Sequence, residues 1–498
     1  MLFNSITFLL FLPAAVLLFL VTPIKYRVYN FIVFSILFYA SWNVYFVFLI
    51  FLSASIDFYA GRFMGKSKDE KARKIVLTIA VSINLALLIF FKYINFLLMS
   101  YFDVANFLSS YSDLFQYRRS QTLDIILPLG ISFYTFQTIS YTVDCYRRVQ
   151  KPISNYGVFF AYVSFWPQLI AGPILRAGEI IPQLINPVNP SRKMFLSGAN
   201  RVLIGLAKKV LIADNIAVMS DAIFAMELGT IPHISPWVIW TGAFLFGFQI
   251  YFDFSAYSDI AVGSGRMLGI RFPENFNWPY LAKSPREFWQ RWHISLSSWI
   301  RDYLYLPLLG VKSKERSTGG ISVREDHGRL KPLLVLVVTW LIMGLWHGAS
   351  WVFALWGLYH VAILLLYRVT KPIFWPFLSK FRIFGDFLAW ALTLGAMMLG
   401  WLFFRSESVA QLMAFLSRLA DVSAYGYIDT SRAVYYIAVI GILACMAASK
   451  VFLELERKTR NVYIFSAGQL FYLLVGTLAV SGIIALIRPV NQFIYFQF

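Results

Sequence analysis

The chain has 498 residues, of which 59% are hydrophobic and only 14% are charged. A compact soluble globule of this length needs a far more polar surface, so the composition excludes an ordinary soluble protein and indicates an integral membrane protein. The formal net charge of +19 would suit a nucleic-acid-binding protein. Much of the basic excess, however, lies in short loops between apolar runs, which is the pattern that orients membrane proteins. We therefore expect membrane lipid around the chain and no nucleic acid bound to it.

Long apolar runs predict an all-α, polytopic membrane fold, because about 20 apolar residues span the hydrocarbon core as a helix. These runs do not alternate polar and apolar residues, as the strands of a membrane β-barrel do. The first span, Ile6–Val21, lacks the features of a removable signal peptide, so we expect it to be retained. Further spans are predicted at residues 31–58 (interrupted at Ser41-Trp42-Asn43), 75–98, 125–145, 158–174, 195–226, 237–267, 333–367, 387–404, 434–452 and 465–487. We expect roughly ten to twelve transmembrane or re-entrant helices in one integral domain, residues 1–498.

Basic clusters predict the topology. Arg27 and the basic run of residues 62–74 are both expected at the cytoplasmic face, which requires an even number of crossings between them. The loop after residues 75–98 then lies outside the cytoplasm, and Arg147 marks the return to the cytoplasmic face. The polar, glycine-containing segment near residues 311–331 is predicted to form a cytoplasmic loop.

Residues 333–367 are too long for one upright helix, and Gly344 and Gly348 bracket His347 near the middle of this run. A broken helix at membrane depth is tolerated only inside protein or beside a water-filled cavity. Because an ionisable side chain at this depth is costly, it marks a functional site by default. We predict that His347 lies beside such a cavity, lined in part by Trp346, and acts as a general base. A structural histidine, hydrogen-bonded between helices, is the open alternative.

Residues 284–309 are amphipathic, which predicts a helix that lies in the membrane interface or re-enters the protein. One face carries Trp289, Trp292, Leu296, Trp299 and Tyr303, and another carries His293, Ser297 and Arg301. Glu287 is expected to pair with Arg291 four residues later. Arg291 and Arg301 are candidates for binding an anionic phosphate of a substrate, although simple marking of topology explains these arginines almost as well.

A stripe of Gln249, Asp253 and Tyr257 runs along one apolar span. A carboxylate at this depth must be paired or hydrogen-bonded. Asp253 would therefore either orient a catalytic histidine or arginine or form an internal salt bridge between helices. Cys145 would suit a thioester intermediate, but a small buried hydrophobic residue is the favoured interpretation. No convergent spacing of histidines, cysteines and carboxylates predicts a metal site.

Several sequence words together resemble a known family. They are FQIYFDFSAYSDIA (residues 248–261), FPENFN (272–277), FWQRWHISLSSWIRDYLY (288–305) and GLWHGA (344–349), supported by PLGISFYTFQ (128–137), LIAGPI (169–174), KKVLIAD (208–214) and GWLFFR (400–405). The chain resembles the membrane-bound O-acyltransferases over essentially its whole length, and within them the bacterial alginate O-acetyltransferase branch.

The resemblance implies helices arranged around a central tunnel that holds two histidines. His347 matches the family's catalytic histidine, and His293 matches its second motif histidine. It also implies a cytoplasmic acyl thioester, acetyl-CoA or another, as donor substrate, with no bound cofactor. The acceptor would be an exported polysaccharide of the alginate type, or a periplasmic acetyltransferase or polysaccharide-export partner.

The expected function is therefore O-acetyl transfer across the bacterial inner membrane by a multi-pass protein. One alternative is transfer of a D-alanyl or other acyl group to a different cell-envelope polymer. An alternative of another class is a proton-coupled transporter or flippase, in which His347 and Asp253 relay protons. A scaffold for an export complex is a third alternative.

Overall fold

The structure is a computed structural model that describes residues 1, 3–109, 122–311 and 330–444. Within these ranges every regular element is helical. The helices are α1 (Ile6–Val21), α2 (Arg27–Ala40), α3 (Tyr45–Lys66), α4 (Glu70–Leu88), α5 (Ile94–Ser109), α6 (Ile131–Tyr146), α7 (Tyr156–Ser164), α8 (Ala177–Ile185), α9 (Arg192–Ala207), α10 (Asp214–Phe224), α11 (Pro236–Met267), α12 (Pro285–Arg291), α13 (Ile294–Ile300), α14 (Leu306–Leu309), α15 (Leu330–His347), α16 (Trp351–Ser379), α17 (Arg382–Arg405) and α18 (Val409–Ala420). Wider π-helical turns at Ile89–Tyr93, Lys208–Ala213 and Arg301–Tyr305 join α4 to α5, α9 to α10 and α13 to α14.

Five helices in the described ranges are long and apolar enough to cross a membrane. They are Tyr45–Lys66, Glu70–Ser109, Leu330–His347, Trp351–Phe374 and Ile383–Arg405. Their outward surfaces carry exposed apolar side chains such as Phe48, Ile79 and Leu366, which suit contact with lipid. The protein is therefore a multi-pass membrane protein. The predicted first span coincides with α1, and the predicted interruption at residues 41–43 separates α2 from α3.

Helix α11 is the central element of the fold. Nearly every side chain along its length is buried, and it packs against α9, α10 and α17. Gly263 of α11 and Gly198 of α9 face each other so closely that a Cβ on either would collide with the carbonyl oxygen of the other. Gly263 and Gly198 therefore serve close packing of the two helices.

The predicted break in residues 333–367 is confirmed. Helix α15 ends at His347, residues 348–350 are non-helical, and α16 begins at Trp351 and packs back against α15. Helix α16 extends further than predicted, to Ser379, and includes Pro372 and Pro376. His347 is thus placed at the turn of a helical hairpin.

Two predictions of continuous helices are wrong. Residues 158–174 do not form a span: α7 ends at Ser164, and the buried chain that follows is non-helical because Pro167 and Pro173 cannot donate backbone hydrogen bonds and disfavour helix before them. Residues 284–309 do not form one amphipathic helix either. The helix breaks at His293, whose φ of 42° is left-handed, and Asn275 accepts a hydrogen bond on its backbone oxygen from the amide of Ile294, 2.9 Å away.

The tryptophans of this broken segment lie inside the protein and not at a membrane interface. Trp289, Trp292 and Trp299 are all buried. Of the two predicted arrangements, a helix in the membrane interface or a segment that re-enters the protein, the structure has the second. The prediction of a cytoplasmic loop falls mainly on residues 312–329, which lie outside the described residues, as do residues 445–498 with the predicted span at 465–487.

Candidate active site

His347 is the last residue of α15, and its side chain is buried. Three aromatic rings surround the imidazole, with ring centroids 4.9 Å (Trp346), 5.0 Å (Trp356) and 5.1 Å (Phe404) from its own. Trp356 comes from α16 and Phe404 from α17, so the helical hairpin and its neighbour together enclose the histidine. This apolar enclosure favours the neutral imidazole, which is the form that acts as a base.

A cavity of about 100 Å³ opens beside His347. Its lining consists of Lys92, residues 127–133, Ile170, Trp346 and His347. The prediction of a cavity next to the broken helix is therefore confirmed. Three of the sequence words that carry the family resemblance, those at residues 128–137, 169–174 and 344–349, meet at this cavity although they lie far apart in the chain.

The end of α15 that carries His347 is held by the π-helical turn Ile89–Tyr93. The ammonium of Lys92 donates hydrogen bonds to the backbone oxygens of Trp346 and of His347, the latter at 3.2 Å. The hydroxyl of Tyr93 donates to the backbone oxygen of Leu345 at 2.9 Å. These donors satisfy carbonyl groups that the helix end leaves unpaired, and a cation there is favoured by the helix dipole.

Lys92 is not among the site residues predicted above, although the sequence carries a signal for it. Lys92 is the only lysine or arginine inside the apolar run of residues 75–98. A charged residue at membrane depth is as strong an indication of function as a histidine there.

His293 is fully buried and precedes α13. Its Nδ1 atom lies 3.1 Å from Oδ1 of Asn275. The same oxygen accepts hydrogen bonds from the backbone amide (3.2 Å) and the hydroxyl (2.8 Å) of Ser295, while the amide nitrogen of Asn275 donates to Ser258. Because Oδ1 is thereby fixed as an acceptor, Nδ1 of His293 must be the protonated nitrogen, and Nε2 carries the free lone pair.

Nε2 of His293 is buried and has no hydrogen-bond partner among the described residues. Asn275 therefore sets the tautomer that leaves His293 a potential acceptor. In the sequence, Asn275 stands out only as part of the FPENFN word. An asparagine eighteen residues before a histidine gives no local signal of this contact.

Trp346 connects the two histidines. Its ring centroid lies 6.2 Å from that of His293 and 4.9 Å from that of His347. The ring centroid of Phe133 lies 5.7 Å from that of Trp346 and 6.4 Å from that of His293. Phe133 and Trp346 both line the cavity. The indole N–H of Trp346 is buried and has no acceptor among the described residues. His293 thus lies one side chain away from the cavity, and Trp346 supplies a donor beside it.

The structure gives Asp253 an ionic partner and Tyr257 an aromatic one. Oδ1 of Asp253 is 2.7 Å from Nζ of Lys209, which also contacts Asp214 at 2.8 Å. Tyr257 stacks on Phe3 with a centroid distance of 4.2 Å. The geometry of Asp253 is that of the salt-bridge alternative, in which a buried ion pair joins α11 to the π-helical turn after α9.

Arg291 and Arg301 are both engaged with carboxylates. Arg291 pairs with Glu287 at 2.7 Å, as predicted from their spacing. Arg301 pairs with Asp302 at 2.8 Å and is half exposed, and Arg176 contacts the other oxygen of Asp302 at 2.7 Å. Burial of Asp302 opposes its ionisation, but the hydrogen bonds from these two guanidinium groups outweigh burial and hold the pKa of the carboxyl below its usual range.

A third arginine joins this group. Arg147 donates to the backbone oxygen of Asp302 at 3.4 Å, and both Arg147 and Arg176 lie over the ring of Tyr303, whose hydroxyl donates to Asp144 at 2.6 Å. We call Arg147, Arg176 and Arg301 the arginine cluster. The sequence topology placed Arg147 at the cytoplasmic face, and the structure brings it together with Arg301.

Neither a metal site nor a reactive thiol is evident in the part of the chain that the structure describes. No three histidine, cysteine or carboxylate side chains converge there, and Cys145 is a buried, free cysteine. Burial of this thiol fits its interpretation as a small hydrophobic residue.

Residues 42–406 match the membrane-bound O-acyltransferase family. The chain belongs to this family. It is an O-acyltransferase. A protein of Azotobacter vinelandii named probable alginate O-acetylase is 37% identical to it over 418 residues, which cover 82% of this chain and 76% of the relative. A peptidoglycan O-acetyltransferase of Helicobacter pylori is 32% identical over 432 residues, which cover 80% of this chain and 74% of the relative. A teichoic acid D-alanyltransferase of Bacillus subtilis is 27% identical over 249 residues, which cover 49% and 60% of the respective chains.

Membership of the membrane-bound O-acyltransferase family gives the two motif histidines a common setting. The histidine of the GLWHGA word, His347, lines the cavity, and the histidine of the RWH word, His293, lies behind Trp346. An acyl transfer to oxygen needs a base for the hydroxyl and donors for the charge that develops on the carbonyl oxygen. Both kinds of group are present within this small region.

Proposed function

We propose that the protein transfers an acetyl group from a cytoplasmic thioester donor, acetyl-CoA, to an acceptor hydroxyl on the other side of the bacterial inner membrane. The observation that carries the proposal is the position of His347, buried at the turn of the α15–α16 hairpin and lining a cavity. The relatives named as O-acetylase and O-acetyltransferase support acetyl as the group transferred.

In the proposed reaction His347 removes the proton of the acceptor hydroxyl as its oxygen attacks the thioester carbonyl carbon. The new C–O bond forms, the carbonyl electron pair moves onto oxygen, and the C–S bond then breaks. The departing thiolate takes the proton from the imidazolium, which restores the neutral base. A positioned base contributes about 10²–10⁴-fold to such a reaction.

Trp346 and His293 support this step in the proposal. The indole N–H of Trp346 is a buried donor beside the cavity, and such donors stabilise developing negative charge best where water is excluded. His293 contacts the same indole ring, and its Nε2 lone pair would accept a hydrogen bond from the acceptor substrate or from a group that moves towards it.

The size of the cavity supports a small acyl group. Its volume of about 100 Å³ is below the 300–1,000 Å³ that is usual for pockets holding drug-sized ligands. An acetyl group fits this volume, and a long fatty acyl chain does not. A D-alanyl group is the second candidate, supported by the teichoic acid D-alanyltransferase relative.

The arginine cluster and His347 are proposed to serve the two substrates. The π-helical turn Arg301–Tyr305 contacts α15, and His347 is the last residue of that helix. We propose that Arg301, with Arg147 and Arg176, binds the phosphates of the donor. Arg291 is a weaker candidate because Glu287 pairs with it alone, whereas Arg176 and Arg301 share the single carboxylate of Asp302.

We expect the arginine cluster at the cytoplasmic face, where the basic residues of the sequence place Arg147. The donor enters from the cytoplasm, and a central tunnel among ten to twelve helices leads to His347. The acceptor is an exported polysaccharide of the alginate type, or a periplasmic acetyltransferase or export partner that receives the group first. The alginate O-acetylase relatives support this acceptor class.

The test is transfer of radiolabel from acetyl-CoA by purified protein in lipid nanodiscs, with alginate, a peptidoglycan fragment and water as acceptors. Transfer that needs the protein supports the proposal, and the preferred acceptor identifies the polymer class. Proton-driven transport of a sugar or lipid in sealed vesicles, without any acyl transfer, would overturn it in favour of a transporter that uses His347 as a proton relay.

A further inference from the structure

Lys92 places a positive charge in the His347 cavity. It lies in the π-helical turn Ile89–Tyr93, lines the cavity together with His347, and is only partly exposed. No carboxylate among the described residues lies within ion-pair distance of its ammonium. Single π-helical turns within longer helices are frequent at functional sites, and this turn swings Lys92 towards the end of α15.

The hydrogen bonds of Lys92 leave one donor to explain. An ammonium has three N–H groups, and those of Lys92 reach two acceptors, the backbone oxygens of Trp346 and His347. The remaining N–H belongs to a side chain that lines the cavity. A third acceptor in that space would come from a bound molecule.

Capping of α15 alone does not account for the charge. The neighbouring residue, Tyr93, caps the same helix end with a neutral hydroxyl that donates to Leu345. A neutral donor therefore suffices for the backbone oxygens, whereas a buried cation without a carboxylate partner is costly. The ring of Trp346, whose centroid is 5.9 Å from Nζ, gives the ammonium a cation–π contact, and an anion bound in the cavity would neutralise the charge.

We propose that Lys92 is the cation of an anion site in the His347 cavity and that its free N–H binds the substrate oxygen that becomes negatively charged during acyl transfer. This inference rests on the proposed function for the identity of that oxygen. Lys92 donates a hydrogen bond and transfers no proton. The negative charge forms when the hydroxyl oxygen adds to the carbonyl carbon, and it disappears when the C–S bond breaks and the carbonyl is restored.

The same site would bind a small carboxylate, which resembles the reacting carbon with its two oxygens. Acetate is the natural probe, because it matches the acyl group and fits the cavity. Binding of acetate to purified protein in nanodiscs is measured by calorimetry and requires no catalytic activity. We expect Lys92→Met to weaken acetate binding by about 10-fold or more, as expected for loss of a charge-assisted hydrogen bond.

Tyr93→Phe is the matched control. It removes a hydrogen bond to the same helix end but no charge, and Tyr93 does not line the cavity. Acetate binding should remain within about 2-fold of wild type in this variant, because exposed or capping hydrogen bonds contribute little to a neighbouring ligand. Equal loss of acetate binding in both variants would show that Lys92 only caps the helix, and would overturn the inference.

Kinetics provide the second measurement. Lys92→Met should lower kcat by about 10²–10³-fold, the usual loss for one oxyanion donor, while KM for acetyl-CoA stays within about 3-fold. Lys92→Arg should retain part of the activity. If Lys92→Met does not fold, Lys92→Ala with added ethylammonium replaces it, and activity should rise with the concentration of ethylammonium. Unchanged kcat in a folded Lys92→Met variant would contradict the inference.

The acetate measurement separates this inference from the proposed function. If wild type binds acetate and Lys92→Met does not, but neither transfers acetyl groups, the anion site stands and the acetyl-transfer proposal fails. If acetyl transfer occurs and acetate binds wild type and Lys92→Met equally, the proposed function stands and the role of Lys92 fails.

Discussion

Gly344 and Gly357 contact each other where α15 and α16 pack together. A Cβ on Gly344 would lie 3.3 Å from the backbone nitrogen of Gly357 and would collide with the backbone oxygen of Phe353. A Cβ on Gly357 would in turn collide with the backbone oxygen of Trp340. The absence of side chains at both positions lets the two backbones approach, as is common between membrane helices. This contact fixes the end of α15, and with it His347 one turn further along.

We predict that Gly344→Ala lowers both stability and activity. The added methyl group must push α15 away from α16, because the obstacle is backbone and cannot move aside. Such overpacking typically costs about 1–3 kcal/mol of unfolding free energy. Thermal unfolding in detergent and acetyl transfer in nanodiscs measure the two effects.

The matched control is Gly395→Ala in α17. A Cβ there meets no atom within 4 Å, and alanine favours helix by up to about 1 kcal/mol. This variant should be at least as stable as wild type and fully active. If Gly344→Ala behaved like Gly395→Ala, the close contact with α16 would not be what positions His347.

A second prediction concerns the ion pair of Asp253 and Lys209. Both side chains are buried and their charged atoms are 2.7 Å apart. Asp253→Asn removes a carboxylate partner of the buried Lys209 ammonium, and loss of a buried partner should lower stability by about 3 kcal/mol. The double variant Asp253→Asn with Lys209→Gln should recover much of this loss, because no buried cation remains. Chemical unfolding of wild type, Asp253→Asn, Lys209→Gln and the double variant measures the coupling between the two sites.

Activity distinguishes the two roles considered for Asp253. If it is a structural ion pair, the folded double variant should have a kcat within about 3-fold of wild type. If Asp253 orients a catalytic group, kcat should fall in the single and the double variant alike, even where stability has returned.

Much of the membrane architecture follows from the sequence. Apolar length identifies α1, the break between α2 and α3, and the hairpin of α15 and α16, because each of these depends on local composition. His347 is predicted from one rule, that an ionisable residue in an apolar run needs a reason to be there. The same rule applied to residues 75–98 would have selected Lys92.

The rest depends on contacts between distant parts of the chain. The break at His293 cannot be read from residues 284–309, since it is imposed by Asn275 and Asn277, whose backbones bond Ile294 and Arg291. Asp253 illustrates the same limit. Its position in an apolar helix shows that it needs a partner, but only the fold shows that the partner is Lys209.

The third prediction tests the contact between Asn275 and His293. Asn275→Leu removes the acceptor that fixes the imidazole tautomer and that also accepts from the backbone amide of Ser295. We expect kcat to fall about 10-fold. An unsatisfied buried polar group costs about 1–3 kcal/mol, and about 1.4 kcal/mol corresponds to a factor of 10. His293→Asn should lower kcat at least as much and keep the backbone, since asparagine tolerates the left-handed conformation.

The double variant shows whether Asn275 acts through His293. If it does, Asn275→Leu should have little further effect on kcat once His293 is already Asn, so the two losses are not additive. Additive losses would mean that Asn275 serves the chain turn before α13 and not the imidazole.

The last prediction concerns the base itself. His347→Ala should lower acetyl transfer by about 10²–10⁴-fold, the contribution of a positioned general base. His233→Ala is the control, because this histidine is exposed in a short turn after α10, and it should leave transfer unchanged.

His347→Gln separates chemistry from packing. Glutamine fills much of the space among Trp346, Trp356 and Phe404 and can form hydrogen bonds, but it cannot take a proton near neutral pH. If His347 is a base, both substitutions lower transfer to a similar extent, while His347→Gln keeps the unfolding temperature close to that of wild type. If it is only a structural residue, His347→Gln restores activity together with stability. Because only proton transfer is lost in this variant, its activity decides between the two roles.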